Sequence, residues 1–463
     1  MKPKLFVSAS IGWAVRNYFQ TGLVKSLTTH FDVIVVTTPA IRAEIERQGL
    51  GEGLQWIVLD SGTEPFTWRM ARQIKKKIYV EGRRSNTEQL WERYTKRPFY
   101  QRAGGKVIRA LTRVIRAPRL FAFAERADFW FNRDEATQAI FERWKPDLFF
   151  ATHASTMFEE RLLRSAVRSS VPVSFMVLSW DHLSSKILLS ARYDRIFVWN
   201  EVTKREILET YPSYDPSQIA IVGAPQFDIY AQPPDVTYDA WCRQWGLDPS
   251  RRTLLFTTAP DVRHEQQHIV ARDLLEEIVR GTRLPPDLQL FLKCHPFDEN
   301  PAYRELVGRY PVAVYRPAAG LTRAQENWIP SPEELTIARD SLAFCSLNIN
   351  VFSTVTLEAA QMDKPVVHLA FDPVPVSHRI PTSEYYKFDH FSRVVDMGAS
   401  SLVYSHDELV EAIARYLTDP TYKSAERRRV AQTFLGDTVG RSSASVCEQL
   451  VAGARALETA DLR

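Results

Sequence analysis

The interpretation of this chain starts from CSLNINVFSTVTLEAAQMDKPVVHLAF, residues 345–371. An apolar run leads into a short interval rich in Asn, Ser and Thr, and a helical pattern follows that ends before Pro365. A second apolar run, PVVHLAF, begins there. Strand, polar turn, helix and strand in this order indicate a doubly wound α/β sheet. The polar turn predicts either a capped helix or a cradle for an anionic ligand.

Similar apolar runs recur along most of the 463 residues. Continuous Val, Ile, Leu and Phe runs are typical of parallel strands buried on both faces, and amphipathic helical patterns separate them. Examples are KLFVSA, FDVIVVTT, PDLFFATH, IAIVGAP, TLLFTTA and LQLFLKCHP. Because the length exceeds that of one ordinary core, we expect two domains of this class.

A Pro-rich interruption around residues 232–234 separates the two series of strands and indicates a domain boundary. The predicted parts are a Rossmann-like domain at 1–222 with a largely helical insertion at about 65–145, a linker at 223–250, a second Rossmann-like domain at 251–435 and a C-terminal helix at 436–463.

The net charge of +4 conceals a strongly basic segment at 69–119, where sixteen Lys and Arg residues stand against three Glu. Aromatic residues are interspersed among the basic ones. This composition predicts contact with an anionic membrane surface or a phosphorylated acceptor, and a solvated helical face is the alternative. Nucleic acid is not expected as a partner, because no nucleic-acid motif accompanies the charge.

Several classes of protein are disfavoured by the composition. No apolar run reaches the roughly 18 to 20 residues needed to span a bilayer, and the N-terminus lacks the apolar core of a signal peptide. The cysteines are too scattered for a zinc site or a disulfide framework: Cys242, Cys294, Cys345 and Cys447. We therefore expect a cytoplasmic protein that is peripheral at the inner face of the membrane.

Polar residues that directly follow strands are the candidates for ligand binding, because doubly wound sheets bind ligands at the carboxyl ends of their strands. In the second half, FTTAPDVRHEQQH places Arg263 after one strand, and FLKCHP places Lys293 and His295 at the end of another. Basic side chains near backbone amides suit a phosphate. Ordinary capping by the loop and a structural role for the histidine are the alternatives.

Residues 327–373 resemble the donor-binding region of GT-B glycosyltransferases. The shared order is a Trp-x-Pro segment, a helix and strand, a small polar turn, a helix bearing Glu, a Lys-Pro-Val-Val strand and an acidic residue. LSWDHLSSK, FVWNEVTKREILETYP and IVGAPQFDIY are similar to bacterial surface-carbohydrate transferases of this superfamily, some of them related to CDP-glycerol glycerophosphotransferases and UDP-N-acetylglucosamine 2-epimerases. The resemblance implies a GT-B fold, with two doubly wound Rossmann-like domains facing across a cleft.

The resemblance also implies roles for individual residues of the second, donor-binding domain. Trp328 would lie beside the nucleotide base, Ser353 and Thr354 would hold the diphosphate, Glu358 would bind the ribose hydroxyls, and Asp372 would face the donor sugar. In addition, Lys293, His295 and Arg263 would neutralise the leaving diphosphate, so neither a metal nor another cofactor is required. The sequence departs from the usual pattern at Asp363-Lys364, where a glycine is normally found before the proline.

The first domain is expected to hold the acceptor, through Arg16 and Asn17 after the first strand. An inverting transferase also needs a base for the acceptor hydroxyl, and a retaining one does not. Asp181 is the first candidate for that base, and His153 and His182 are the next.

These inferences predict a glycosyltransferase that moves a sugar from a nucleotide-sugar donor to a lipid-linked or other glycan acceptor in surface polysaccharide assembly. Three alternatives stay open: a CDP-glycerol-type glycerophosphotransferase, a sugar-nucleotide 2-epimerase, and a non-catalytic protein that binds sugar nucleotides.

Overall fold

A computed structural model describes residues 2–62, 64–83, 85–94, 107, 110–111, 115, 117–154, 156–183, 188–190, 192–260, 263–317 and 328–461. The chain forms two compact units. Unit 1 comprises Met1–Asp228 and Gly436–Arg463, and unit 2 comprises Ile229–Leu435. Each unit is built on one parallel sheet, as the continuous apolar runs predict.

The sheet of unit 1 has seven strands in the order β3-β2-β1-β4-β5-β6-β7, and neighbouring strands pair in parallel. The strand order reverses beside β1, which is where doubly wound sheets bind ligands. The strands are β1 Lys4–Ala9, β2 Asp32–Thr37, β3 Gln55–Val58, β4 Leu148–Ala151, β5 Val173–Met176, β6 Arg195–Val198 and β7 Ile219–Ile221.

Helices cover the sheet of unit 1, and large apolar side chains such as Phe6, Phe149 and Phe175 are completely buried against them. Four of these helices, α4 to α7, follow β3 and occupy the described part of the predicted insertion. The elements are α1 Gly12–Ala14, a π-helix Val15–Phe19, α2 Leu23–Leu27, α3 Pro39–Arg47, α4 Phe66–Arg83, α5 Asn86–Tyr94, α6 Ala117–Phe131, α7 Glu135–Trp144, α8 Met157–Arg168, α9 Glu201–Thr210 and a 3-10 helix Pro216–Gln218. Most of the basic segment beyond Tyr94 lies outside the described residues.

The sheet of unit 2 has six parallel strands in the order β10-β9-β8-β11-β12-β13. Its strands are β8 Arg252–Thr257, β9 Leu288–Lys293, β10 Val312–Tyr315, β11 Leu347–Asn350, β12 Val366–Leu369 and β13 Ser401–Val403. Its helices are α10 Tyr238–Trp245, α11 Gln267–Arg280, α12 Pro332–Phe344, α13 Val355–Gln361, α14 Asp389–Asp396, α15 His406–Thr418 and α16 Ser424–Phe434, with 3-10 helices at Pro301–Leu306 and Thr382–Lys387. A further 3-10 helix, Pro225–Ala231, spans the boundary between the units. Apolar cores lie on both faces of the sheet. Among the described residues, no helix is long and apolar enough to cross a membrane.

The interval 223–250, which the sequence predicts to be a linker, is largely structured. It contains α10, and Trp241 and Cys242 of this helix are buried in the core of unit 2 beside Phe291. The prolines before α10 favour a linker in the sequence, and for this reason the helix is not predicted. The units divide between residues 228 and 229, which lie inside this predicted interval.

The C-terminal segment forms α17, Ser442–Asp461, and belongs to unit 1 rather than standing alone. Asp228 caps its first turn, because its carboxylate accepts hydrogen bonds from the backbone N–H groups of Gly440, Ser442 and Ser443 at 2.9–3.0 Å. Gly223 lies beside this junction at φ 82°, where a Cβ atom would overlap the side chain of Thr438. These contacts join the N-terminal and C-terminal segments of unit 1.

Asp363 explains why the chain departs from the usual glycine before Pro365. It adopts the left-handed conformation that favours glycine, with φ 51°. Its carboxylate accepts hydrogen bonds from Ser424 Oγ at 2.6 Å and Arg427 Nε at 2.8 Å. The Arg427 side chain is buried, so the carboxylate compensates a charge that would otherwise be isolated.

We predict that Asp363→Gly and Asp363→Ala both destabilise the protein, and that alanine is the worse replacement. Loss of the partner of a buried arginine costs about 3 kcal/mol, and a Cβ without the ion pair in the left-handed region adds about 1 kcal/mol. Urea unfolding measures both, and Asp396→Ala, an exposed acidic position in the same unit, is the control. Equal stability of the wild type and the glycine variant would refute the role of the ion pair.

Candidate functional site

The register of unit 2 brings four strand ends to the same level. Thr257, the last residue of β8, pairs with Lys293 of β9 on one side and with Asn350 of β11 on the other. Asn350 in turn pairs with His368 of β12. The residues that follow these strands therefore emerge side by side at one edge of the sheet, as the topology predicts.

His295 is held at this edge as a neutral hydrogen-bond donor. Its backbone N–H donates to Thr258 Oγ1 at 2.8 Å, and its Nδ1 accepts from the backbone N–H of Phe297 at 3.1 Å. Burial, together with the nearby charges of Lys293 and Arg263, lowers the pKa of His295 to about 3. Because Nδ1 is an acceptor in this arrangement, the proton of the neutral ring is placed on Nε2.

Arg263 lies near His295, on the loop that follows β8 and is held by hydrogen bonds. Gln267 holds the loop after β8, because its side chain accepts from the N–H of Ala259 at 2.6 Å and donates to the carbonyl of His264 at 2.6 Å. The guanidinium of Arg263 lies 5.1 Å from the centre of the Tyr385 ring. Arg263, Lys293 and His295 thus form a cationic corner with a neutral donor, as the sequence analysis expects of a phosphate site.

The polar turn between β11 and α13 is anchored by aromatic residues. Phe352 has φ 43°, and its N–H donates to the hydroxyl of Tyr386 at 3.1 Å. Its ring packs against those of Tyr385 and Phe391, at 5.5 and 4.7 Å between centroids. Since Arg263 lies on the same Tyr385 ring, the turn and the cationic corner share one support.

Ser353 and Thr354 play different parts in this turn. Ser353 Oγ accepts from the N–H of Val355 at 3.3 Å, and Thr354 is exposed as the N-cap of α13 without a side-chain capping bond. Capping therefore accounts for Ser353 in part, and the role of both residues in holding a diphosphate stays a prediction.

The asparagines of the opening stretch are structural. Asn348 and Asn350 are completely buried, and the two amides are joined by a hydrogen bond of 2.7 Å. Asn348 donates to Thr257 Oγ1 at 3.1 Å, and the amide oxygen of Asn350 lies 3.0 Å from Nδ1 of His368. Burial lowers the pKa of His368 to about 3. This network stabilises three adjacent strands from within and leaves the Asn side chains no surface for a ligand.

The remaining candidates for donor binding differ in their burial and in the partners that they already have. Glu358 is half-buried in the first turn of α13, and Trp328 is half-buried next to residues 318–327, which lie outside the described residues. Asp372 is fully engaged: it pairs with Arg379 at 2.5 Å and accepts from the N–H and hydroxyl of Thr382 at 2.9 and 2.7 Å. Burial raises the pKa of Asp372, but these hydrogen bonds and the arginine outweigh it and leave the pKa below its usual value. Asp372 would have to exchange partners in order to bind a sugar.

In unit 1 the two predicted acceptor residues contact each other. Arg16 Nε donates to Asn17 Oδ1 at 2.8 Å, and the buried Asn17 donates to the carbonyl of Leu178 at 3.4 Å. Both belong to the π-helix Val15–Phe19, a rare element that often marks functional sites. Asn17 has a structural role here, because its amide joins the helix to the segment just after β5.

His153 is buried completely at the end of β4, beside a carboxyl group that the sequence analysis overlooked. Its Nδ1 lies 3.3 Å from Oε1 of Glu159, and its Nε2 lies 3.3 Å from Ser10 Oγ. Burial lowers the pKa of His153 to about 3 and raises that of Glu159 to about 8, so at neutral pH both are uncharged. A histidine with so low a pKa is a weak base, which disfavours His153 for that role.

The other two candidate bases lie just after β5. His182 is buried, with its ring 6.2 Å from that of Trp13. Asp181 is half-buried and accepts a hydrogen bond of 2.6 Å from the hydroxyl of Ser179. Asp181 is thus the most accessible of the three and stays the first choice for the base. Within the described residues, no group of His, Cys, Asp or Glu side chains is arranged to hold a metal ion.

Comparison with solved structures identifies the fold. The structure superposes on that of a putative UDP-N-acetylglucosamine 2-epimerase from Listeria monocytogenes with a TM-score of 0.57. The alignment covers 97% of each chain, and the sequence identity is 13%. The chain covers 99% of the UDP-GlcNAc 2-epimerase from Methanocaldococcus jannaschii at 13% identity and a TM-score of 0.56. For the Neisseria meningitidis enzyme bound to UDP-GlcNAc the values are 100%, 14% and 0.54. The protein is a GT-B fold protein, and the predicted fold class is confirmed.

A match to a family model assigns the protein to one family among the proteins with this fold. Residues 106–452 match the family described as CDP-Glycerol:Poly(glycerophosphate) glycerophosphotransferase. The match covers well over half of the chain, so the protein belongs to this family, to which the motifs in the sequence already show a resemblance. No curated protein matches the chain.

We predict that Glu159→Gln changes how stability depends on pH. The folded-state pKa of Glu159, about 8, exceeds the unfolded value of 4.5. The folded wild type therefore binds the extra proton between these values and loses stability as pH rises from 4.5 to 8, by up to about 1.4 kcal/mol per pH unit. The amide does not titrate, so the variant should gain on the wild type from pH 5 to pH 8.5 in urea unfolding. A difference that is constant over this range would show that Glu159 is ionised in the folded protein.

Proposed function

We propose that the protein is a transferase whose donor is a nucleoside diphosphate carrying a polyol, held by unit 2, and that it transfers the polyol phosphate to a hydroxyl acceptor. The family match over residues 106–452 carries this proposal, because the family description joins CDP-glycerol to glycerophosphate transfer. The cationic corner of Arg263, Lys293 and His295 supports it, since each group suits a diphosphate.

The chemistry of such a transfer places its demands on the diphosphate. The acceptor oxygen forms a bond to the phosphorus that bears the polyol, and the bridging P–O bond breaks. Nucleoside monophosphate leaves with the bonding electrons, and the acceptor proton passes to a base. Negative charge therefore grows on the departing phosphate, where Arg263 and Lys293 would stabilise it electrostatically. The neutral ring of His295 would donate Nε2–H to the same oxygens without competing for the proton.

Glycosyl transfer from a nucleotide sugar is the second candidate. The order of Trp328, the polar turn, Glu358 and Asp372 favours it, since this order resembles the donor region of GT-B glycosyltransferases. In that reaction the bond between the anomeric carbon and the diphosphate breaks, and a nucleoside diphosphate leaves. The two candidates thus differ in the nucleotide that they release.

The released nucleotide is the deciding measurement. The protein is incubated with CDP-glycerol and a poly(glycerophosphate) primer, or with UDP-N-acetylglucosamine and the same primer, and nucleotides are separated by ion exchange. We expect CMP from the first mixture. UDP from the second mixture alone would establish glycosyl transfer instead. If neither donor is consumed and neither raises the melting temperature, the transferase proposal is wrong.

His295→Ala should lower kcat for nucleotide release by roughly 10²- to 10³-fold, the typical effect of removing one oriented donor. His30→Ala, an exposed histidine of unit 1, is the control. Because the pKa of His295 is about 3, the variant should keep the wild-type pH profile of kcat/KM between pH 5 and 8. A lost inflection near pH 6 to 7 would mean that His295 works as a titrating acid or base.

We further propose that the outer face of the insertion contacts an anionic membrane, where a lipid-linked acceptor would be found. On α4, Phe66, Met70 and Ile74 follow one another at helical spacing with 72%, 43% and 42% of their surface exposed. On α6, Phe123 and Trp130 are exposed on a single face. The exposed basic residues beside them are Arg69, Lys76, Arg119 and Arg126. Aromatic and basic side chains together are typical of helices that lie in a bilayer interface.

Sedimentation with vesicles tests this surface. Phosphatidylglycerol vesicles should bind the wild type, binding should weaken with salt, and the double variant Phe123→Ser, Trp130→Ser should bind much less. Val279→Ser, which removes an exposed valine of unit 2, is the matched control. Equal binding of the double variant and the control would show that this surface does not contact the membrane.

A further inference from the structure

Unit 1 contains a cavity of about 320 Å³ that the functions above leave unused. It lies between α4, α6 and α8 and the segment that follows β5. Its size falls at the lower end of the range of roughly 300 to 1,000 Å³ typical of small-molecule sites. Its walls combine aromatic rings, basic groups and carboxyl groups.

Arg164, in the wall of the cavity, indicates which kind of ligand the cavity can bind. Its side chain is 2% exposed, and its guanidinium lies 4.2 Å from the centre of the Trp68 ring and 5.5 Å from that of Phe129. Its NH2 group is bound by Asp128 at 2.7 Å and Glu160 at 3.1 Å. Its Nε and NH1 groups have no hydrogen-bond partner among the described residues. Aromatic faces cannot satisfy in-plane N–H groups, so these donors call for oxygen atoms in the cavity.

Two further polar groups of the cavity wall also lack a hydrogen-bond partner among the described residues. Oε2 of Glu159, a side chain 3% exposed, and Oγ of Ser190 form no hydrogen bond within the described part of the chain. A buried donor edge and a carboxyl group that both line one space match a ligand with oxygen acceptors and hydroxyl donors.

The charges around the cavity limit the kind of anion that it can take. Arg72 is paired with Glu64 at 2.7 Å, and Lys75 is paired with Asp128 at 2.6 Å. At the rim, the exposed Lys76 has no ion-pair partner among the described residues. Glu125 and Glu160 also line the walls, so a second phosphate group inside the cavity would be repelled. A single anionic group attached to hydroxyl groups satisfies both parts of the wall.

We propose that this cavity binds a polyol phosphate, with phosphate oxygens on Arg164 Nε and NH1 and on Lys76, and with hydroxyl groups on Glu159 and Ser190. The assignment rests on the proposed function and deepens it, because the ligand would be the terminal unit of the acceptor. The cavity adjoins the end of β4 through Ala154, next to His153.

Calorimetric titration of the full chain with glycerol 3-phosphate, in the absence of nucleotide, tests the cavity alone. The wild type should bind it at millimolar concentration or below, and glycerol and inorganic phosphate should each bind at least tenfold more weakly. Lys76→Ala and Arg164→Lys should each weaken binding by about tenfold or more, as expected for hydrogen bonds to charged groups. Arg143→Ala removes an exposed charge from α7 and should bind like the wild type.

Arg164 also supports buried Asp128, so Arg164→Lys requires circular dichroism to confirm folding. Lys76 is exposed, and its variant decides the matter if the other does not fold. Wild-type affinity in Lys76→Ala and in a folded Arg164→Lys would overturn the site. Absence of glycerol 3-phosphate binding would overturn it as well, and equally tight binding of inorganic phosphate would refute the polyol half of the assignment. Because no nucleotide is present, each of these results is independent of the donor assay, in which the proposed function can fail separately.

Discussion

The parallel pairing of β8 with β9 and β11 is the constraint on which the candidate donor site depends. Thr257 pairs with Lys293 and with Asn350, so three chain segments leave the sheet at one level. The bond from the His295 N–H to Thr258 Oγ1 extends this alignment past the last strand residue. A slip of one residue would turn each side chain to the opposite face. The buried hydrogen bond from Asn348 to Thr257 Oγ1, at 3.1 Å, opposes such a slip, because a shifted register would leave the buried amide without its partner.

Much of this arrangement follows from sequence alone. Continuous apolar runs predict buried parallel strands, and the doubly wound topology then predicts that Arg263, Lys293 and Ser353 share an edge. Which strand residues face inward is harder to predict, because both faces are covered and the pattern of alternation is lost. For this reason Asn348 and Asn350 resemble ligand-binding groups in the sequence, whereas the structure uses them to join strands.

Other features depend on partners that are distant in the chain. Asp363 looks like a departure from its family until Arg427, 64 residues later, is seen to bind it. The buried Trp241 shows that α10 is part of a core, although the prolines before it indicate a linker. Glu159 lies six residues after His153, a spacing that carries no signal until burial brings the two side chains together. Burial is a property of the whole unit, and it controls whether these groups are charged.

The two histidines that the sequence singles out at strand ends, His153 and His295, are both uncharged for the same physical reason. Desolvation disfavours the imidazolium form, and at His295 the neighbouring Lys293 and Arg263 add repulsion. At His295 the consequence is useful for anion binding. The Phe297 N–H occupies Nδ1 and leaves Nε2–H as a donor over the physiological range of pH. An anion at this corner would therefore meet two cations and one neutral donor, so salt should weaken its binding through the two cations only.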